Sequence, residues 1–116
     1  MDLNEIQQLY STYISDSNHP RLGAFIALVE EIGEIAQEIL NIELYDKTNE
    51  KIKLQEEIAD TFIALLELCD VYHINLEDVF IKKFNRVKER AVVEWKDNLT
   101  EVLKRKREIY DIKEIY

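Results

Sequence analysis

Only two glycines and one proline interrupt 116 residues, and this shortage of backbone punctuation is what most limits the folds open to the chain. All-β folds with many tight turns draw freely on both residues, so long unbroken helices are expected instead. Apolar residues recur at three- and four-residue steps, the period of one helix face. The first such stripe is Leu3, Ile6, Tyr10, Tyr13 and Ile14, which predicts a short helix from Leu3 to about Ile14. Ser15 to Pro20 is the one cluster of turn formers, and Pro20 suits the opening of a second helix because its missing N–H would be unpaired there anyway.

The second helix is expected from about Arg21 to Leu44, with Phe25, Leu28, Val29, Ile32, Ile35, Ala36 and Ile39 as its apolar face. Tyr45 to Asn49 reads as a polar connection, where Thr48 or Asn49 can cap a third helix that runs to about Tyr72. Its buried positions are Leu54, Ile58, Thr61, Phe62, Leu65, Leu68, Cys69 and Tyr72. Asn75 reads as the N-cap of a fourth helix, with Glu77 and Asp78 in its first turn, where negative charge complements the helix dipole. Val79, Phe80, Phe84, Val87, Ala91 and Trp95 form its stripe, and a terminal helix follows from about Thr100. With no internal repeat and no linker, the chain reads as one all-α domain, residues 1–116, folded as a helical bundle of four to five helices. Much apolar surface on helices one and four would still need covering, so self-association is expected.

Charge narrows the function classes. A formal net charge of −9 repels polyanions and argues against a nucleic acid polymer as partner, although a local basic patch can hold one small phosphate ligand. No apolar run approaches the ~20 residues of a membrane span, so a soluble protein with no membrane partner is expected. Cys69 is the single cysteine and has no internal disulfide partner, and the N-terminus lacks the layout of a secretory signal. A reducing, cytoplasmic location follows as an expectation.

Two acidic segments carry the chemistry. Glu30-Glu31-Ile32-Gly33-Glu34 lies in helix two, and Glu56-Glu57-Ile58-Ala59-Asp60 answers it in helix three. At about 100° per residue, Glu31 and Glu34 fall to one side of the apolar face of helix two, and Glu57 and Asp60 fall at nearly the same offset on helix three. Antiparallel packing through the apolar faces would gather all four beside the seam. Like charges so placed raise one another's pKa and oppose folding unless neutralised. A hard divalent cation that prefers oxygen ligands, Mg²⁺ with Mn²⁺ as a substitute, is the economical neutraliser. Gly23, Ala24, Ala27 and Ala64 leave space on the acidic side. The alternative is a solvated acidic face without an ion.

These two half-motifs, Glu-Glu-x-x-Glu at 30–34 and Glu-x-x-Asp at 57–60, set within Leu28-Val29-Glu30-Glu31-Ile32-Gly33-Glu34-Ile35-Ala36, resemble the signature of the all-α nucleotide pyrophosphohydrolases of the MazG type. The likeness covers roughly residues 18–90, including His19-Pro20-Arg21 and Ile74 to Val79, and leaves 91–116 as a C-terminal extension. The resemblance implies a nucleoside triphosphate substrate cleaved between its α- and β-phosphates, giving the monophosphate and pyrophosphate. It also implies Mg²⁺ held by Glu31, Glu34, Glu57 and Asp60. A general base would come from Glu34, or else from Glu30 or Glu38, and the assembly would be a homodimer or homotetramer. Lys82, Lys83, Arg86 and Arg90 form a basic ladder that could grip the phosphates, or else a solvated basic face. The family often has Asn four residues after its Lys; here Arg86 takes that place and Asn85 comes one residue early.

Three other readings compete. A di-iron carboxylate bundle requires Glu-x-x-His pairs, and none is present. A phosphoribosyl-ATP pyrophosphohydrolase would usually continue past the Asp into a Tyr-His pair, whereas Asp60 is followed by Thr61-Phe62. A non-catalytic helical assembly module would have had no reason to keep all four acids. His19 and His73, both at helix ends, read as satisfied polar groups, and Cys69 as a buried inert thiol. Tyr10, Tyr13, Phe25 and Trp95 read as core or as a stacking platform for a base.

Overall fold

The computed structural model of the chain describes residues 1–45, 50–93 and 99–110. Among them are five α-helices, α1 (Leu3–Tyr13), α2 (Arg21–Glu43), α3 (Glu50–Val71), α4 (Leu76–Val93) and α5 (Leu99–Tyr110), with a 3-10 turn at Ser15–Ser17 and no strand. Each boundary falls within a few residues of the place that periodicity predicts. The proposed caps Thr48 and Asn49, and Trp95, lie outside the described residues.

Helix ends leave backbone groups without intrahelical partners, and several of the described ends have a specific answer. Asp2 Oδ1 accepts the amide of Glu5 at 2.8 Å and caps α1. α2 opens after Pro20 with no side-chain cap, and its first regular bond runs from the amide of Ala24 to the carbonyl of Pro20 at 2.9 Å. α3 stops without a glycine. His73 takes a left-handed conformation, φ 55°; its amide donates to Asp70 O (3.2 Å), and that of Ile74 donates to Cys69 O (2.8 Å). That bond pair is a Schellman stop. Asn75 precedes α4 as expected, yet the first amide of that helix, on Leu76, is taken from a distance by Gln7 Oε1 of α1 at 2.8 Å. Gln7 Nε2 also donates to Ile74 O at 3.0 Å, so one side chain of α1 clamps both sides of the bend.

The chain divides into two compact units, Met1–Glu77 and Asp78–Tyr116. In the first, α2 and α3 pack along their lengths. They run antiparallel, because the start of α2 meets the end of α3, where Asn18 bonds to Asp70 and His19 to Glu67. α1 lies on the C-terminal half of α3, burying Tyr10, Leu66 and Cys69. In the second unit, Phe80 and Phe84 of α4 stack with ring centroids 5.5 Å apart, and both remain about half exposed.

One expectation is corrected here. The helices do not meet through their most apolar faces: Phe25 and Ile32 on α2 stay 51% exposed and Ile58 on α3 stays 53% exposed. The face of α2 turned to α3 is Ala24, Ala27, Leu28, Glu31, Ile35 and Glu38, opposed by Leu54, Glu57, Thr61 and Ala64. Two small side chains lie on this face, Ala24, which is fully buried, and Ala64, and small residues are what allow two helix backbones to pack closely. A row of Phe, Val and Ile would hold them apart. Tyr13 is likewise exposed rather than core, whereas Tyr10 is buried.

Candidate metal centre

The rotation that buries the alanines carries acids into the seam. Glu31, one turn beyond Ala27 along α2, is half-buried, as is Glu57 on α3; Asp60, one turn further on, is exposed. One carboxylate oxygen from each of Glu31, Glu57 and Asp60 lies within 4.8 Å of the others. Glu34, three residues after Glu31 and therefore its neighbour on the helix surface, hydrogen-bonds with both Glu57 and Glu31. The hydroxyl of Thr61 donates to the Glu57 carbonyl at 2.7 Å, so it is occupied within its own helix and does not neutralise the carboxyl groups.

So many acids at one place resist ionising together. Glu57 is pushed up to about 7, first by its hydrogen bond with Glu34, then by desolvation and by the charges of Glu34, Asp60 and Glu31. Glu31 is raised as well, chiefly by desolvation and then by the charges of Glu34 and Asp60. Glu31 Oε2 and Glu57 Oε2 are shut off from solvent without a hydrogen-bond partner. Buried oxygens without donors, on hard carboxylate ligands drawn from two helices, suit a divalent cation that takes oxygen ligands. The chemistry of the donor set thus fits Mg²⁺ or Mn²⁺.

Other residues singled out by sequence are placed differently. Glu30 is exposed on α2 outside the cluster, and Glu38 is half-buried on the seam face two turns beyond Glu31. Lys82, Lys83, Arg86 and Arg90 are exposed on α4 in the second unit, with Lys82, Arg86 and Arg90 on one face of that helix.

A second polar cluster escaped the sequence reading. Glu67, buried among Leu66, Leu68 and Cys69, accepts from the His19 amide (2.6 Å) and contacts His19 Nδ1 (2.8 Å) through the same oxygen. Beside it, the Tyr10 hydroxyl donates to Asn18 Oδ1 (2.5 Å), and Asn18 Nδ2 donates to Asp70 Oδ2 (2.6 Å). Burial, with the charges of Glu67 and Asp70, pushes Tyr10 up to about 12, so its phenol stays a donor. Together these bonds fix the segment that leads into α2. The one local hint was an acid inside the apolar run Ala64-Leu65-Leu66-Glu67-Leu68-Cys69. His19 is the satisfied polar group expected of it. Cys69 is buried, and desolvation raises its thiol, in keeping with an inert side chain.

An all-α chain that gathers carboxylates between two antiparallel helices offers a site of hard oxygen donors at the helix seam. The chain belongs to the MazG family: the family model of the MazG nucleotide pyrophosphohydrolase domain matches residues 23–92, which include both acidic half-motifs. No curated protein and no solved structure matches it. Nucleotide pyrophosphohydrolysis is accordingly the general activity of its family, one that is generally metal-dependent. Among the described residues, no helix is long and apolar enough to cross a membrane.

Proposed function

We propose that this protein hydrolyses nucleoside or deoxynucleoside triphosphates to the monophosphate and pyrophosphate in a Mg²⁺-dependent reaction, for nucleotide-pool control or house-cleaning. The observation that carries the reading is the convergence of Glu31, Glu57 and Asp60 to within 4.8 Å, with two of their oxygens buried and unpartnered. Glu31, Glu57 and Asp60 would hold the ion, joined by Glu34. When bound, the ion supplies positive charge to the phosphate oxygens and acidity to a water molecule.

In the reaction, the oxygen of water adds to the α-phosphorus and the bond from that phosphorus to the α–β bridging oxygen breaks. Pyrophosphate leaves with the bridging oxygen, and the water proton passes to a carboxylate. Glu34 is the first candidate for that acceptor, because it borders the cluster without being enclosed by it. Glu30 and Glu38 stand behind it. Lys82, Lys83, Arg86 and Arg90 would bind the triphosphate as charge partners. The domain is taken as residues 1–116, with the motif core at about 18–90 and an extension from 91 to 116, in a homodimer or homotetramer. The exposed apolar faces of α2, α3 and α4 support assembly.

Pyrophosphate release measured over a panel of NTPs and dNTPs with Mg²⁺, with Glu57→Ala as control, tests the reading. Turnover of at least one member, lost in the control, is expected; no turnover of any member overturns it.

A further inference from the structure

We infer that His19 is a substrate-binding residue whose Nε2 accepts a hydrogen bond from the nucleoside end of the triphosphate, from a sugar hydroxyl or a base N–H. The inference rests on the hydrolase reading above and deepens it.

His19 stands just ahead of α2 and is held from two sides. Its Nδ1 lies 2.8 Å from Oε1 of the buried Glu67, and that oxygen also accepts the His19 amide. A carboxylate oxygen only accepts, so Nδ1 carries the proton, which leaves Nε2 of the neutral ring as an acceptor. The side chain is 59% exposed despite these bonds. Gly23 supplies the second constraint, since a Cβ there would stand 3.1 Å from His19 Cβ and 3.8 Å from its Cγ. The ring thus folds back over the first turn of α2, into room that a larger residue would crowd.

This pair lies in line with the acidic cluster. At about 100° per residue, Glu67 falls roughly 20° around α3 from Asp60, and Gly23 roughly 20° around α2 from Glu34. Along the axes, Glu67 is roughly 10 Å from Asp60 and Gly23 roughly 12 Å from Glu31. Between the acids and the pair these lines carry only Ala64 on α3 and Ala27 on α2, so no long side chain intervenes. All of these residues belong to the first unit, Met1–Glu77. A nucleotide with its α-phosphate at the acids can therefore extend along the line toward His19. Glu67 and Asp70 make that end acidic, and an unprotonated Nε2 is an acceptor. Both repel the β- and γ-phosphates, whose oxygens are acceptors as well. The donors of the substrate are its sugar hydroxyls and base N–H groups.

Ring NMR reads the contact without turnover. The chain has two histidines, which a His73→Gln variant assigns. Adding deoxynucleoside monophosphates, the proposed products, with Mg²⁺ should shift the His19 ring nitrogens and leave those of His73 in place. In kinetics, kcat/KM is compared for the common deoxynucleoside triphosphates and their dideoxy counterparts. A sugar contact gives roughly tenfold poorer use of the dideoxy substrates by the wild type, and a base contact a roughly tenfold preference among bases. Either preference should vanish in His19→Ala and survive in part in His19→Gln, which keeps an acceptor there. Gly23→Ala, whose Cβ presses on the ring, should weaken it too. His19 signals that do not move, or a His19→Ala variant that loses rate equally on every substrate, overturn the assignment while the hydrolase reading stands. A wild type that turns over no triphosphate overturns the hydrolase reading, and the NMR titration then decides the His19 contact by itself.

Discussion

Glu34 and Glu57, on neighbouring antiparallel helices, share a hydrogen bond between two carboxyl groups, and that bond is the largest cause of the rise of Glu57 to about 7 from an ordinary 4.5. A carboxyl raised in the folded state binds its proton more tightly there than in the unfolded chain. Its stabilising contribution is complete below about 4.5 and is lost as pH rises through about 7. Without metal, the melting temperature should therefore fall between pH 5 and pH 8. Added Mg²⁺ should raise it most at the alkaline end, where the ligands are ionised. Thermal melts in EDTA and in Mg²⁺ across that range check this; a metal-free protein that grows more stable with rising pH would contradict it.

Removing acids should separate ligands from neighbours. Glu31→Gln, Glu57→Gln and Asp60→Asn should each lower Mg²⁺-dependent pyrophosphate release on the order of 100-fold or more. Glu34→Gln should lower kcat by about 100-fold or more if it accepts the water proton, and Glu30→Gln, outside the cluster, should act weakly. Steady-state kinetics with Mg²⁺ titrations distinguish loss of metal affinity from loss of turnover.

The basic ladder on α4 predicts a binding effect. Lys82→Ala, Arg86→Ala and Arg90→Ala should raise KM for a triphosphate while leaving kcat largely intact, as expected for cations that hold the phosphates in ground and transition state alike. Unchanged KM in all three variants would assign the ladder to solvent.

The buried Glu67 should matter to stability. Glu67→Ala leaves the His19 amide without its acceptor and should cost about 1–3 kcal/mol. Glu67→Gln keeps an oxygen in place and should cost less. Urea midpoints of the two variants, read against the wild type, provide the comparison.

At the end of α3, His73 sits at φ 55°, a conformation that glycine adopts without a side-chain penalty. His73→Gly should accordingly stabilise the chain by about 1 kcal/mol, and His73→Val should destabilise it. Both shifts are measurable in the same urea experiment.

Helix number and boundaries were legible along the chain because they depend on local matters: the three- and four-residue recurrence of apolar side chains, the turn formers around Ser15–Pro20, and the rarity of glycine. The candidate ligands were legible too, since Glu31 with Glu34 and Glu57 with Asp60 are helix neighbours at any rotation of their helices. How α2 turns about its own axis was not. Periodicity marked Phe25, Val29 and Ile32 as the face to bury, but an apolar stripe does not reveal whether its cover comes from the same chain. The face that is buried instead carries Ala24 and Ala64, with Glu31 and Glu57 half-buried along it. The bonds of Gln7 to Ile74 and Leu76, and of Glu67 to His19, join residues far apart in sequence and leave no local mark. Local patterning along the chain thus specified the helices and the acids they bear. Which side chains meet was settled by the packed arrangement, because packing and hydrogen bonding between helices depend on shapes that no single helix contains.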